Sequence, residues 1–530
     1  MFALALGDAD SVGAGGFDAD ADHPGNGPNI DAVEPDNRRL EWAALRRLAL
    51  LDGVFIAPYQ PISAGEIRRL AGGARNDAKG LWSWDSCSCA AVPLHAHVGG
   101  RLALHELGPG GQITGEAGLR GRGLLLALEP DLTLAGGVFW VAISPRLTGP
   151  LATNRSALPA ALTYQDWPPP AGPYAAGLAR REDPPWQLTL PRAVIGASLG
   201  RWAITAGVFP AVVGIGLDGD GLTLTSHAAS LPQLVARRTS PFAWSGVLRP
   251  LAPSHLLVRA GWTSAQTVQY RDEWGRHERC ATPLFCQWLL AWNHTSWWRT
   301  TVAHAALAAP RTGESLWADL LQINFPRLGT TWNEVERGPI TDRLFSLGME
   351  WRFRTAPWPV LPSAAGRLWW EYGGEDFRPH DTLPLLPEIA APASLAGVEL
   401  LDEYWDVGLQ YLQTWHSSVL WYSNQGFTEA YTNDHVVLGH PLGGGAKAWT
   451  AVVRVRTGQA RTEWELRTRL ARWERTRGLP VSAELREWTL SWRHAAAPAR
   501  SGWQLRAGWT RETTGLARAD WLVAQIVRDF

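Results

Sequence analysis

The chain has 530 residues, a net charge of −1 and only two lysines, Lys79 and Lys447. That length suffices for about two to four ordinary domains or one very large one. The charge balance gives no electrostatic case for a nucleic-acid partner. No run of about 18 apolar residues is present, which argues against a transmembrane helix.

Tryptophan is the outlier, at 31 residues against 9 tyrosines and 13 phenylalanines. A soluble fold struggles to bury so many indoles and satisfy each N–H. Membrane interfaces use such half-wet rings, and so do sugar-binding surfaces.

The start, Met1 to Gly7, lacks a basic region and its apolar run is short for a signal peptide. Residues 1–36, rich in Gly, Asp and Pro, are expected to form a disordered leader carrying a signal-peptide remnant. Residues 37–110 predict a small helical module. Leu40, Ala44, Leu48 and Leu51 recur at helical spacing, Gly53 is a C-cap, and Ser63 to Glu66 has capping-box spacing. His95, His97 and His105 fall here and read as packing or surface residues; no metal is expected.

Beyond this module the period is two. Trp202, Ile204 and Val208 alternate with Arg201, Ala203 and Thr205, and Trp288, Leu290 and Trp292 with Gln287, Leu289 and Ala291. Trp449, Val453 and Val455 alternate with Thr450, Arg454 and Arg456, and Trp464, Leu466 and Leu470 with Glu465, Arg467 and Arg469. Asp342 to Arg354 shows the pattern most plainly. Phe345, Leu347, Met349, Trp351 and Phe353 share one face, and Ser346, Glu350, Arg352 and Arg354 the other.

Many of these rows begin or end with Trp, as a bilayer-spanning strand of about 9–11 residues does. Short turns alternate with long Pro/Gly-rich connections. The expected fold is therefore all-β: a transmembrane antiparallel β-barrel of about 18 strands over residues 111–530, behind the N-terminal helical module. Glu350, Arg352, Arg354, Arg454 and Arg456 are expected to line its lumen. Met349→Arg should then be costly and Ser346→Arg tolerated.

Chemistry-bearing motifs are few. Asp218-Gly-Asp220-Gly lacks the remaining ligands of a calcium loop and reads as a plain loop. Gly214 to Gly219 fits G-x-G-x-x-G by letter but runs into a strand pattern instead of a helix. Glu350, Glu371, Glu375 and Asp376 offer carboxylates for a glycosidase pair, yet alternation along a lumen wall explains most of them. Cys280 and Cys286 are the candidate disulfide pair, with unrelated thiols as the alternative. No cofactor is expected.

Residues 421–449 are more individual. Tyr422, Asn424, Tyr431, Asn433, His435 and His440 sit in a Gly-rich connection, a kit of rings and hydrogen-bonding groups suited to a sugar. Glu371, Tyr372 and Asp376 join them as candidate ligand-binding residues. A well-packed loop that constricts the barrel is the alternative reading.

The segments R-L-A-L-L-D-G-V-F, P-Y-Q-P-I-S-A-G-E-I-R-R-L, W-W-E-Y-G-G-E-D, L-A-G-V-E-L and E-A-Y-T-N-D-H-V-V-L-G-H-P-L-G-G-G together resemble the capsule assembly protein Wzi family. Tyr431, Leu438-Gly-His440 and Gly443 to Gly445 carry the most specific part. The resemblance implies an outer-membrane barrel of about 18 strands with a periplasmic helical module. It also implies a lectin-like, non-enzymatic role in attaching exported capsular polysaccharide to the cell surface. Expected partners are surface polysaccharide, outer-membrane lipids and, during biogenesis, the barrel-assembly machinery; the barrel is expected to be a monomer. A porin for small solutes or saccharides and a carbohydrate-active enzyme are the competing functions.

Overall fold

The computed structural model describes Leu50, the strands between His95 and Asp529, and the loop segments named below. Eighteen strands form one antiparallel sheet, each paired with its neighbours in the chain. In chain order they are β1 His95–Leu107, β2 Gly123–Gly136, β3 Phe139–Ala152, β4 Gln187–Leu199, β5 Trp202–Phe209 and β6 Leu231–Arg238. There follow β7 His255–Trp262, β8 Leu284–Asn293, β9 Trp298–Ala309, β10 Ile340–Arg354, β11 Ala365–Glu375 and β12 Ala391–Leu401. The last six are β13 Trp405–Gln413, β14 Ala446–Thr457, β15 Thr462–Trp473, β16 Ala483–Ala496, β17 Ser501–Thr514 and β18 Arg518–Asp529. Pairing of β1 with β18, Arg101 opposite Asp529 through Glu106 opposite Ala524, closes the sheet into a barrel with no free edge.

Among the described residues, three two-stranded ladders stand outside this sheet. They pair Gln266–Asp272 with Gly275–Ala281, Arg378–Pro379 with Pro387–Glu388, and Thr432–Asn433 with Val436–Val437.

The faces follow the two-residue period. On β10, Asp342, Leu344, Ser346 and Glu350 are buried inside, while Phe345, Leu347, Met349, Trp351 and Phe353 point outward. Outward rows elsewhere carry exposed apolar side chains, among them Ile204, Val258, Leu368, Val453, Leu466 and Leu490. Inward rows carry charge: Arg259, Arg299, Glu350, Arg367, Glu371, Arg454, Glu465 and Arg467 are all buried. An apolar exterior around a polar interior is the arrangement lipid requires, with the closed ladder satisfying every strand's backbone.

Tryptophans mark both rims of the apolar band. Trp298, Trp351, Trp405, Trp464 and Trp492 lie toward one end of their strands, and Trp449 and Trp488 toward the other. Trp298 stands opposite Trp351 in register, and Trp464 opposite Trp492.

The two ends differ. At one, the connections 136–139, 199–202, 293–298, 401–405, 457–462 and 496–501 are short, with 238–255 the longest there. At the other, connections span 107–123, 152–187, 209–231, 262–284, 309–340, 375–391, 413–446 and 473–483, with 514–518 short. Short turns face the periplasm and long loops the exterior in outer-membrane barrels. β1 begins and β18 ends at the short-turn end.

Two expectations need correction. Residues 95–107 belong to the barrel as β1, so it starts at His95 and not at 111. Leu102 and Leu104, alternating with Arg101, Ala103 and His105, carry the two-residue period there. The expected leader and most of the helical module lie outside the described residues; Leu50, helical, packs against Ala365 and Leu401 at the short-turn end. Cys280 and Cys286 form no disulfide. Cys280 is exposed on the 275–281 strand of its hairpin, whereas Cys286 is buried on β8 with Leu284, Ala306 and Ala308.

Candidate functional site

The connection between β5 and β6 does not stay outside. Residues Val213 to Leu224 fold into the barrel as a narrow hairpin, buried throughout. The Val213 N–H donates to Leu224 O at 3.1 Å, Gly216 N–H to Asp220 O at 2.8 Å and Asp220 N–H to Leu217 O at 2.9 Å. The turn at its tip needs positive φ at Asp218 (52°) and Gly219 (82°), a conformation that Gly adopts freely and Asp tolerates better than most residues. Apolar Ile215 and Leu217 pack on Trp369 and Val452, and Leu222 and Leu224 join the main buried cluster. Wall residues Gly348 and Gly408 lie so close to Ile215 and Leu217 that a Cβ at either would collide.

Each level of the hairpin is tied to the barrel wall. Near its base, Leu222 N–H donates to Glu371 Oε1 at 3.3 Å and Gln287 Nε2 donates to Thr223 Oγ1 at 3.4 Å. Midway, Arg367 donates to Ile215 O at 2.7 Å, pairs with Glu399 at 2.6 Å and lies over the Trp369 ring at 4.3 Å. Gln410 accepts from Leu217 N–H at 2.7 Å and donates to Asp220 Oδ2 at 3.1 Å.

The tip ends in a buried charge network. Arg454 holds both oxygens of Asp218, at 2.7 and 3.0 Å, and Arg467 also pairs with Asp218. Glu465 bridges the two arginines, at 2.6 Å from Arg454 and 3.1 Å from Arg467. Arg456 continues the chain to Asp406 at 2.6 Å and Glu463 at 2.8 Å. Burial works to raise the Asp218 carboxyl, but Arg454 and Arg467 outweigh it and hold it below its ordinary value. Arg454 lies three residues before the end of β14 at Thr457, so the hairpin reaches nearly to the short-turn end.

The connection between β13 and β14 closes over the hairpin from above. Tyr422 donates its hydroxyl to Leu222 O at 2.6 Å and accepts from His440 N–H at 3.0 Å. Tyr431 donates to Thr223 O at 2.8 Å, and the two tyrosine rings stack 5.8 Å apart. Burial raises both phenols, keeping them neutral donors. His440 Nδ1 accepts from Leu442 N–H at 3.2 Å, and its Nε2 lies 3.6 Å from Asp220. Trp421 Nε1–H donates to Ala391 O at 2.8 Å. Gly444 packs directly on the Trp421 carbonyl, and Gly443 and Gly445 have φ of 68° and 71°. A β-bridge between Val268 and Phe427 ties the 266–281 hairpin to this loop.

The candidate residues thus separate. Glu371, Tyr422, Tyr431 and His440 are buried and engaged with the hairpin, beneath the outer loops instead of on them. Tyr372 lies on the outward face of β11, ring to ring with Trp370 at 5.6 Å, because alternation points it away from Glu371. Asn433 lies in the short 432–437 hairpin, and Asp376, Asn424 and His435 fall outside the described residues. Glu350 faces inward, 3.2 Å from Arg352 and 3.8 Å from Arg299. Arg454 and Arg456 also face inward, and both are paired. Arg354 stays exposed at the short-turn end.

Sequence reasoning missed Asp218, Asp220, Arg367, Gln410, Glu465 and Arg467 as a unit. One signal was present: the acidic pair of V-V-G-I-G-L-D-G-D-G-L-T-L is flanked by more apolar residues than an exposed loop carries.

No family model and no curated relative matches the chain. Among solved structures it is similar to Wzi of Escherichia coli, an outer membrane protein involved in group 1 capsule assembly and a carbohydrate-binding β-barrel. The two are 13% identical, with a TM-score of 0.61 over 92% of this chain and 97% of that one. The chain has the Wzi barrel fold. Looser matches are OccAB2 of Acinetobacter baumannii (7% identity, TM-score 0.47, 82% of this chain and 96% of that one) and OccK9 of Pseudomonas aeruginosa (10%, 0.44, 82% and 97%). The chain is an outer-membrane β-barrel, its apolar band facing lipid. In this Wzi-fold barrel, Tyr431 and His440, from the most specific part of the sequence resemblance, fasten the 413–446 loop to the inserted hairpin.

Proposed function

We propose that the protein is a non-enzymatic anchor that holds exported capsular or related surface polysaccharide at the cell surface. The observation that carries this reading is the filled interior. The Val213 to Leu224 hairpin is bonded to the wall from Glu371 down to Arg454, which favours a binding platform over a passage for solutes. The carbohydrate-binding character of the Wzi barrel, which shares the fold, supports the same reading. The ligand surface is the crown of the long loops, with residues 421–445 as its centre. Tyr422, Tyr431 and His440 support that loop from below. Contacts with a polymer would be individually weak and gain by avidity. With a charged polymer they would weaken at high salt, beyond a Debye length of about 8 Å at physiological ionic strength.

The test is retention of labelled polysaccharide from the producing cell on proteoliposomes that display the long loops outward. Retention above protein-free vesicles, with no new reducing ends, is expected. Absence of retention overturns the anchor reading, and release of reducing ends replaces it with an enzyme.

A further inference from the structure

Two described residues other than glycine hold a positive φ, Asp218 at 52° and Tyr422 at 63°. Asp tolerates this region; a bulky aromatic rarely enters it, and stays only where its surroundings over-determine it. Tyr422 is held in that way. Its hydroxyl donates to Leu222 O at 2.6 Å and accepts from His440 N–H at 3.0 Å. Its ring stacks on Tyr431, meets Trp421 edge-on at 5.3 Å and lies against Gly439, where a Cβ would collide with it. Its carbonyl accepts from Tyr431 N–H at 3.1 Å, and the Tyr431 carbonyl accepts from Leu438 N–H at 3.1 Å. The described part of the 413–446 connection is thus assembled on one strained residue.

The inserted hairpin supplies part of that restraint. Leu222 O takes the Tyr422 hydroxyl, and Thr223 O takes that of Tyr431. From there contacts continue toward the short-turn end. The His440 imidazole lies 3.6 Å from Asp220 Oδ2, and Gln410 donates to the same oxygen at 3.1 Å. Gln410 also accepts from Leu217 N–H at 2.7 Å. Leu217 precedes Asp218, whose carboxylate pairs with Arg454 and Arg467. The two positive-φ residues therefore stand at the two ends of one bonded unit. Withdrawing the hairpin would strip Tyr422 of the Leu222 carbonyl and favour its return to ordinary backbone geometry. An element with two arrangements, biased from either end, is what energetic coupling across a distance requires.

We propose that Asp218 is a positioning residue for the polysaccharide-binding loop. Its ion pairs seat the hairpin, and the seated hairpin holds Tyr422 in the conformation on which that loop is assembled. The ligand named here rests on the polysaccharide reading; the coupling between Asp218 and the loop does not. Coupling in binding is reciprocal, so polysaccharide on the loop tightens the hairpin by the same factor that a loosened hairpin takes from polysaccharide affinity.

Hydrogen exchange and polysaccharide binding by the barrel in lipid nanodiscs test it, with folding of each variant checked by heat-modifiable mobility. D218N removes the charge and keeps the turn, since Asn, like Asp, tolerates positive φ. Without polymer, D218N should raise exchange at the Tyr431, Leu438 and His440 amides about tenfold, while β16 amides keep their wild-type rates. Unchanged exchange at those three amides overturns the proposal and leaves the polysaccharide reading standing. With capsular polysaccharide purified from the producing cell, D218N should bind about tenfold more weakly than wild type. D218N/Y422F/Y431F should bind as Y422F/Y431F does, because the link is already cut. Losses that simply add overturn the proposal, since two independent defects would explain them. One arm needs no variant to fold: saturating polysaccharide should slow exchange at the wild-type Gly216 and Asp220 amides, and no slowing overturns the proposal. Polysaccharide that fails to bind wild type overturns the function proposed above, and exchange at Tyr431, Leu438 and His440 then decides the coupling by itself.

Discussion

At the scale of single residues, Asp218 is the latch of the inserted hairpin. Its carboxylate receives Arg454 and Arg467 in the buried interior. A buried ion pair is not itself a large gain over apolar packing, but removing one partner leaves charge stranded and typically costs about 3–5 kcal/mol. Asp218→Asn should therefore loosen the hairpin while the strand ladder stays closed, and flickering conductance in planar bilayers should replace a silent wild type. The pH response follows from the lowered Asp218 carboxyl. A depressed acid stabilises the folded form above its unfolded value and loses that contribution only as pH falls through the lower, folded value. The wild-type barrel should stay silent from neutral pH down to about pH 5, with any opening confined to pH below the ordinary carboxylate value of 3.8. Opening at mildly acidic pH would assign the latch to another group.

At the scale of elements, β10 shows what the sequence reveals and what it hides. Its two faces are legible because side chains alternate strictly, and the outward Phe345, Leu347, Met349, Trp351 and Phe353 face lipid. Met349→Arg near mid-membrane should cost about 2–4 kcal/mol in barrel stability, measured by denaturant titration of the folded protein in lipid. The inner face is different. A polar row reads the same whether it meets water or another buried segment, and the sequence alone suggested a tolerant lumen. Ser346 is instead buried beside Glu371, whose carboxylate accepts from it, and Gly348 lies against Ile215. Ser346→Arg should thus destabilise the plugged barrel, and equal stability in the same titration would mean the interior is wet. The same limit hid the role of the 421–445 loop. Its tyrosines and histidine have the chemistry of a sugar site, but whether that chemistry turns outward or onto Leu222 and Thr223 depends on contacts with residues some 200 positions away. The Asp218-Gly-Asp220-Gly turn was obscured in the same way, since its arginine partners come from β14 and β15.

At the scale of the whole molecule, three features combine. A closed ladder removes every sheet edge, tryptophan rims set the barrel in the bilayer, and long connections gather at one end. The β5–β6 and β13–β14 connections fill the barrel and brace each other through Tyr422 and Tyr431. The 266–281 hairpin ties to the same assembly through Val268 and Phe427. Among the described residues, the interior holds the Val213 to Leu224 hairpin bonded to the wall on several levels, which suits holding a polymer better than passing solutes. The most direct measurement is the partition of exported polysaccharide between cells and medium in a strain lacking the protein, with and without the wild-type chain restored. The account predicts polysaccharide shed into the medium on deletion and returned to the cells on restoration. Polysaccharide that stays cell-bound in the deletion strain would contradict it.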